Sequence, residues 1–299
     1  MFKYSQVVVT GAIVAFAGCG ASPESSDQDS VDAGAVERHI KLEGESNFRD
    51  IGGYRTSDGR TVRWREVFRT GELGGLTDTD VGMLESLELK TVVNFLLPDE
   101  IEKGGADRLP DGTEQILDPI TGERSAELSR TAHRAISTGN FSELPAEINL
   151  EIHAILMDEA KEQYARLLRT LADPDQRPVA FHCSGGIHRT GTATAVLLSA
   201  LGVPWETIRE DYLLTNVVEK EETEEALAKL REKAAAANNI DPSEVDMTNV
   251  EAFYILEAAY IDGALEAAKE QYGSMDGYIR EGLGLSEADV TALRSSLLE

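Results

Sequence analysis

The chain has 299 residues, 41% of them hydrophobic, enough to bury one sizeable core, which excludes global disorder. A formal net charge of −26 repels nucleic acid and excludes a role that depends on binding it. Two cysteines, Cys19 and Cys183, are too few for a disulfide scaffold.

Lys3, an apolar run from Val7 to Ala17 and Phe16-Ala17-Gly18-Cys19 describe an export signal too short to span a membrane. Its end resembles the bacterial lipobox. That resemblance implies a lipoprotein signal peptide over 1–18, diacylglyceryl modification of Cys19, and a membrane partner reached through the lipid. The expected location is a periplasmic or cell-surface membrane anchor; ordinary signal cleavage is the alternative, and either way the domain is exported. Residues 19–38, rich in Ser, Asp, Ala and Gly, read as a flexible tether, with the folded domain over 39–299.

Asp58-Gly59 marks a turn between two short extended runs, and Val67-Phe68-Arg69 a strand. Thr77, with an acid three residues on, caps a helix whose apolar face is Val81, Leu84 and Leu87. Lys90 to Phe95 has the β-branched character of a buried parallel strand, and Gln115 to Leu117 reads as the next. Ile120 to Asp158 carries only a weak helical pattern and reads as an insertion, a candidate lid. A helix with Tyr164, Leu167, Leu168 and Leu171 inward stops at Asp173-Pro174. Pro178 to Phe181 is a short central strand, and Thr190 to Leu201 an apolar helix ended by Gly202. About four helices follow Trp205 by periodicity. Phe253, Leu256, Tyr260, Ala264 and Ala267 form one expected face, and Ser286 with Asp289 the cap of the last helix. The alternation predicts an α/β fold: a central, mainly parallel sheet flanked by helices, with a helical insertion and a helical C-terminal part.

The chemistry lies in His182-Cys183-Ser184-Gly185-Gly186-Ile187-His188-Arg189-Thr190-Gly191, between a strand and a helix. Glycines let the backbone N–H groups of Ser184, Gly185, Gly186, Ile187 and His188 converge on one anion, and the helix adds its N-terminal dipole. Arg189 can fork two phosphoryl oxygens, and the same positive field favours the Cys183 thiolate. A thiolate touching bound phosphate can attack phosphorus and form a phosphocysteine that water hydrolyses. Thr190 is placed to donate to the departing sulfur. His182 orients the loop rather than acting as a base. His188 either shuttles a proton or adds positive charge to the nest. Cys183, taken as an exposed thiolate, is expected to be oxidised directly by peroxide.

This segment resembles the protein-tyrosine-phosphatase superfamily, with its His-Cys-five-residues-Arg-Thr-Gly loop. Asn47 to Gly53, Phe68 to Leu73, Asp211 to Asn216 and Gly282 to Ser286 are similar to blocks of the bacterial secreted tyrosine/phosphoinositide phosphatases. The resemblance spans 40–299 and implies a cysteine-dependent phosphomonoesterase without cofactor or metal. Its partner would be a phosphorylated substrate: phosphoprotein, phosphoinositide or inositol phosphate. Ile187 and His188 replace the usual lysine and aspartate, and Asn94 and Leu96 an aspartate and an arginine. The His188 form is closer to the plant and fungal dual-specificity branch.

Related phosphatases protonate the leaving group from an aspartate after the strand preceding the nucleophile strand. Asp118 and Glu123 stand there. Asp118, at the strand end, is preferred, although it equally suits a plain turn before Pro119. Asp99 and Asp158 are fallbacks. The resemblance also brings Arg49 and Arg69 toward the loop. His39, His133 and His153 show no metal-ligand spacing and read as structural or exposed. Two other readings remain: a catalytically weak phospho-ligand binding module on the same fold, and an arsenate-reducing or sulfur-transfer enzyme, which the lack of a second catalytic cysteine disfavours.

Overall fold

The computed structural model describes residues 38–299; the expected export signal, Cys19 and nearly all of the expected tether lie outside the described residues. Five strands form one sheet in the order β1-β2-β5-β3-β4, comprising β1 (Arg49–Asp50), β2 (Val67–Thr70), β3 (Thr91–Asn94), β4 (Glu114–Leu117) and β5 (Val179–His182). All pairings are parallel except β1 with β2. This is the expected α/β architecture, with the nucleophile strand at its centre.

Alternation along the strands explains how both faces are covered. Phe68, Val92 and Ala180 point into a cluster with Leu84, Leu87 and Leu89, from and just beyond helix α1 (Asp78–Ser86). Val67, Val93, Val179 and Phe181 point the other way, into the main core. Helices α5 (Lys161–Ala172), α6 (His188–Leu201), α10 (Ala258–Tyr272) and α11 (Glu287–Leu297) contribute to that core. Thr77 caps α1 through a reciprocal box with Asp80, and Ser286 caps α11 with Asp289, as the spacings predicted.

The expected single face running from Phe253 to Ala267 is broken. Helix α9 (Thr248–Tyr254) stops at Ile255, and α10 starts only at Ala258, because Ile255 and Glu257 are extended. Leu256 is buried in the break, with Tyr260, Ala264 and Ala267 on the helix beyond it.

The insertion is more helical than its pattern suggested: α3 (Glu123–Thr138) and α4 (Ile148–Glu159) fill most of it. It is also only half of a unit. Ala132, Ala135, Phe141, Leu144 and Ile148 form a separate core with Ala234, Met247 and Val250. The latter three come from α8 (Lys220–Asn238), α9 and the turn between them. Two segments on either side of the nucleophile motif therefore build one helical cap.

Candidate active site

Register places the site. Thr70, His182, Asn94 and Leu117 form one row at the C-terminal ends of the parallel strands. The residues that follow them leave the sheet on the same edge, where loops of a parallel sheet meet their ligands. Cys183 and Asp118 are both in that next row, separated by the width of β3, or about 9–10 Å at ordinary strand spacing.

After Cys183 the backbone turns through Ser184–Ile187 into α6. Only one loop glycine is dictated by geometry. Gly186 has φ +67°, and a Cβ there would lie 2.7 Å from the Thr70 carbonyl oxygen. At Gly185 a Cβ would meet nothing nearer than Ile187 at 3.7 Å. The loop is tied from outside through its carbonyls: Asn47 Nδ2 donates to Gly185 O at 3.0 Å and Arg69 Nη2 to Gly186 O at 2.8 Å. Glu72 N–H donates to Ser184 O at 2.8 Å. With these carbonyls held outward, the N–H groups are left to face the centre.

Arg189 is aimed by a residue that the sequence reading did not single out. Glu100, on helix α2 (Pro98–Gly104), takes its two terminal nitrogens at 2.7 Å each. Burial pushes the Glu100 carboxyl up, but the Arg189 fork outweighs it and holds the group below the usual carboxylate range. Tyr164 OH donates to the Arg189 carbonyl at 3.0 Å. Thr190 Oγ1 is buried with no hydrogen-bond partner among the described residues, the Cys183 sulfur included. Cys183 itself is only 3% exposed. The exposed thiolate assumed for peroxide oxidation is therefore not what the fold presents.

His182 is pinned on both ring nitrogens. Nδ1 lies 3.1 Å from Cys183 O, and Nε2 lies 3.0 Å from Asp107 Oδ2. Asp107 also accepts from Asn94 Nδ2 at 2.9 Å and Gln115 Nε2 at 2.6 Å. Burial raises its carboxyl, and these donors more than offset that, leaving it below the ordinary value. Asn94 therefore braces the loop through Asp107, and its own Oδ1 accepts from Leu96 N–H at 2.8 Å.

His188 does not add charge to the nest. Burial, followed by repulsion from Arg189, lowers its pKa to about 4, so the ring is neutral at pH 7. Nε2 lies 2.6 Å from Asn149 Oδ1, and the ring packs on Phe253 with centroids 5.5 Å apart. His153 belongs to the same cluster, fully buried and also pushed well down by burial.

Arg49 and Arg69 both converge on Asp211 of helix α7 (Trp205–Val218). Arg49, forced down to about 10 by burial and by Arg69, also donates to Asn47 Oδ1 and to Asp211 O. Tyr54 OH donates to the same carboxylate at 2.9 Å. One signal of this hub was readable. Asp211 falls among Ile208, Tyr212, Leu214 and Thr215 on the buried face of α7, a core position where an acid demands a buried cation.

Asp118, 8% exposed, is held by Arg166 in a fork, Nε to Oδ2 at 3.0 Å and Nη2 to Oδ1 at 2.6 Å. Glu123 is exposed at the first turn of α3. Asp99 faces Lys103, and Asp158 is bound by Arg124 and Lys161. Among the described residues no group of acids, histidines or cysteines has the geometry of a metal site.

A thiol at the C-terminal end of a central parallel strand thus opens a loop braced through its carbonyls, and a forked arginine stands in the first turn of the buried helix that follows. The model of the tyrosine phosphatase family matches residues 40–299. The chain belongs to that family. It is 28% identical to a Cupriavidus necator protein provisionally named a tyrosine-protein phosphatase, over 94% of this chain and 97% of that one. It is also 28% identical to the triple specificity protein phosphatase PtpB of Mycobacterium tuberculosis, covering 86% of this chain and 98% of PtpB. A tyrosine-protein phosphatase of Nostoc commune is 24% identical over 77% of this chain and 73% of its own length. Membership in this family supports a cysteine-based hydrolase.

Proposed function

We propose that the chain is an exported, lipid-anchored phosphomonoesterase that acts through a phosphocysteine on Cys183, in the manner of the bacterial secreted tyrosine/phosphoinositide branch. The observation that carries this is the loop itself: Cys183 at the end of β5, outward-held carbonyls at Ser184, Gly185 and Gly186, and Arg189 aimed by Glu100. The thiolate attacks phosphorus, an S–P bond forms, and the P–O bond to the leaving group breaks. Asp118 is assigned to protonate the leaving oxygen, a step for which its fork with Arg166 must open. Water then attacks phosphorus, and Thr190 donates to the departing sulfur.

The substrate favoured is a singly phosphorylated ester, and the names of the relatives make phosphoproteins the first class to try. Charge pairing supports this over multiply phosphorylated inositols. Arg49 and Arg69 are spent on Asp211, Arg166 on Asp118, and Arg124 on Asp158 and Glu159. Export and the anchor rest on the N-terminal signal and Cys19 alone; globomycin-sensitive processing and labelling with a fatty acid analogue would test them.

Para-nitrophenyl phosphate hydrolysis in EDTA, beside Cys183→Ser, tests the activity. The pairing of Asp118 with Arg166 is the one observation that favours the phospho-ligand binding module. That reading predicts vanadate binding without turnover.

A further inference from the structure

Besides Phe253, the cap reaches the start of α6 through two polar side chains one turn apart on α4, Asn149 and His153. We propose that both are positioning residues for phosphoryl transfer. Through His188 and Thr192 they hold the junction where the loop becomes helix α6, so that docking of the cap sets the aim of Arg189 and Thr190. This rests on the phosphatase reading of the loop and adds to it a part that the nucleophile motif does not contain.

The protons on the two imidazoles follow from the fixed donors and acceptors around them. Asn149 Nδ2 donates to the Ala252 carbonyl of α9, which turns Oδ1 toward His188 and leaves it only a donor to accept. His188 therefore carries its proton on Nε2. Thr192 Oγ1 donates to His188 O at 2.9 Å, so its contact with His153 Nδ1 at 2.7 Å must be accepted. His153 in turn has its proton on Nδ1, and Nε2 accepts from Tyr212 OH at 3.0 Å. Tyr212 adjoins Asp211, the anchor of Arg69, which holds Gly186 O. The loop is thus gripped at Gly186 from one side and at His188 from the other.

The charged and titratable groups facing the network agree with neutral rings. His188 meets Arg189 on its own helix and His153 across the gap. His153 feels His188 and Arg69. Glu100 is already committed to Arg189. Burial and the neighbouring cationic groups all act against charging the two imidazoles.

A double-mutant cycle on the full chain tests the proposal: Asn149→Ala, His188→Ala and both, read as kcat/KM for para-nitrophenyl phosphate and as vanadate affinity. Each single change is expected to lower both quantities by about tenfold to a hundredfold, the usual cost of slight misplacement. The double variant should be no worse than the more damaging single, because the same bond is already lost. Losses that multiply, or singles that match the parent, overturn the proposal. Nitrogen NMR of His188 in the unmutated chain gives a readout that needs neither turnover nor a folded variant. A neutral ring with its proton on Nε2 is expected down to about pH 5, a unit above its value of about 4. A proton on Nδ1, or a ring charged at pH 7, refutes the assignment. An unmutated chain without turnover would count against the phosphatase reading alone, since the vanadate and NMR outcomes still decide the positioning.

Discussion

Arg69 and Asp211 meet at 2.5 Å with both side chains 1% exposed, and the free end of the same guanidinium holds the Gly186 carbonyl. A buried ion pair thus braces the loop through one of its carbonyls. Asp211 compensates Arg49 as well, so its charge serves two buried cations.

Asp211→Asn should therefore cost about 3–5 kcal/mol, the usual penalty for stranding buried charge. Burial raises the Asp211 carboxyl, but Arg69 and Arg49 hold it below the ordinary value. A lowered folded value means that its contribution is complete above the unfolded pKa and lost as pH falls through the folded one. Urea denaturation at pH 7 and at pH 3 checks both statements. A variant as stable as the parent at pH 7 would refute the hub.

Asn94→Asp should be destabilising rather than helpful. Its side chain would face the Asp107 carboxylate at the 2.9 Å now spanned by a hydrogen bond. The expected loss is roughly 1–3 kcal/mol at pH 7, easing as the pH drops into the carboxylate range and one acid takes a proton. Melting temperature against pH would reveal it; a flat difference between the two proteins would contradict it.

Glu219, at the C-terminal end of α7, has its carboxyl raised to about 7 by burial and by Glu45, with Arg49 opposing. In the folded state it holds a proton that the unfolded state releases near 4.5, so its effect on stability is unfavourable as pH rises from there to about 7 and constant beyond. Glu219→Gln should remove that dependence and stabilise the protein at pH 8 by roughly 3 kcal/mol. Unchanged stability at pH 8 would show that the group is not so perturbed.

Asp118→Asn should separate substrates by leaving group. An alkyl phosphate, which needs a proton donor, is expected to lose about 10²–10⁴ in rate, and para-nitrophenyl phosphate far less. Equal losses on both would remove Asp118 from the acid role.

The sheet and the loop were legible because their signals are local. Lys90 to Phe95 and Pro178 to Phe181 are short apolar runs between turn residues, and the cysteine-to-arginine spacing needs no distant partner. The braces were not legible, because each joins segments far apart in the chain. Glu100 and Asp107 look like ordinary surface acids until the fold sets them against Arg189 and His182. The cap escaped for the same reason: α3 and α8 share a core with the whole nucleophile motif between them in sequence. His153, read as structural or exposed, is the structural case: it is fully buried and hydrogen-bonded to Thr192 and Tyr212.

The central claim, a covalent phosphoryl group on Cys183, is tested most directly by acid-quenching the protein during turnover and mapping the phosphate by mass spectrometry. The account predicts phosphate on the peptide bearing Cys183 in the parent, and no labelled peptide and no turnover in Cys183→Ser. Turnover that persists in Cys183→Ser, or phosphate found on another residue, would contradict it.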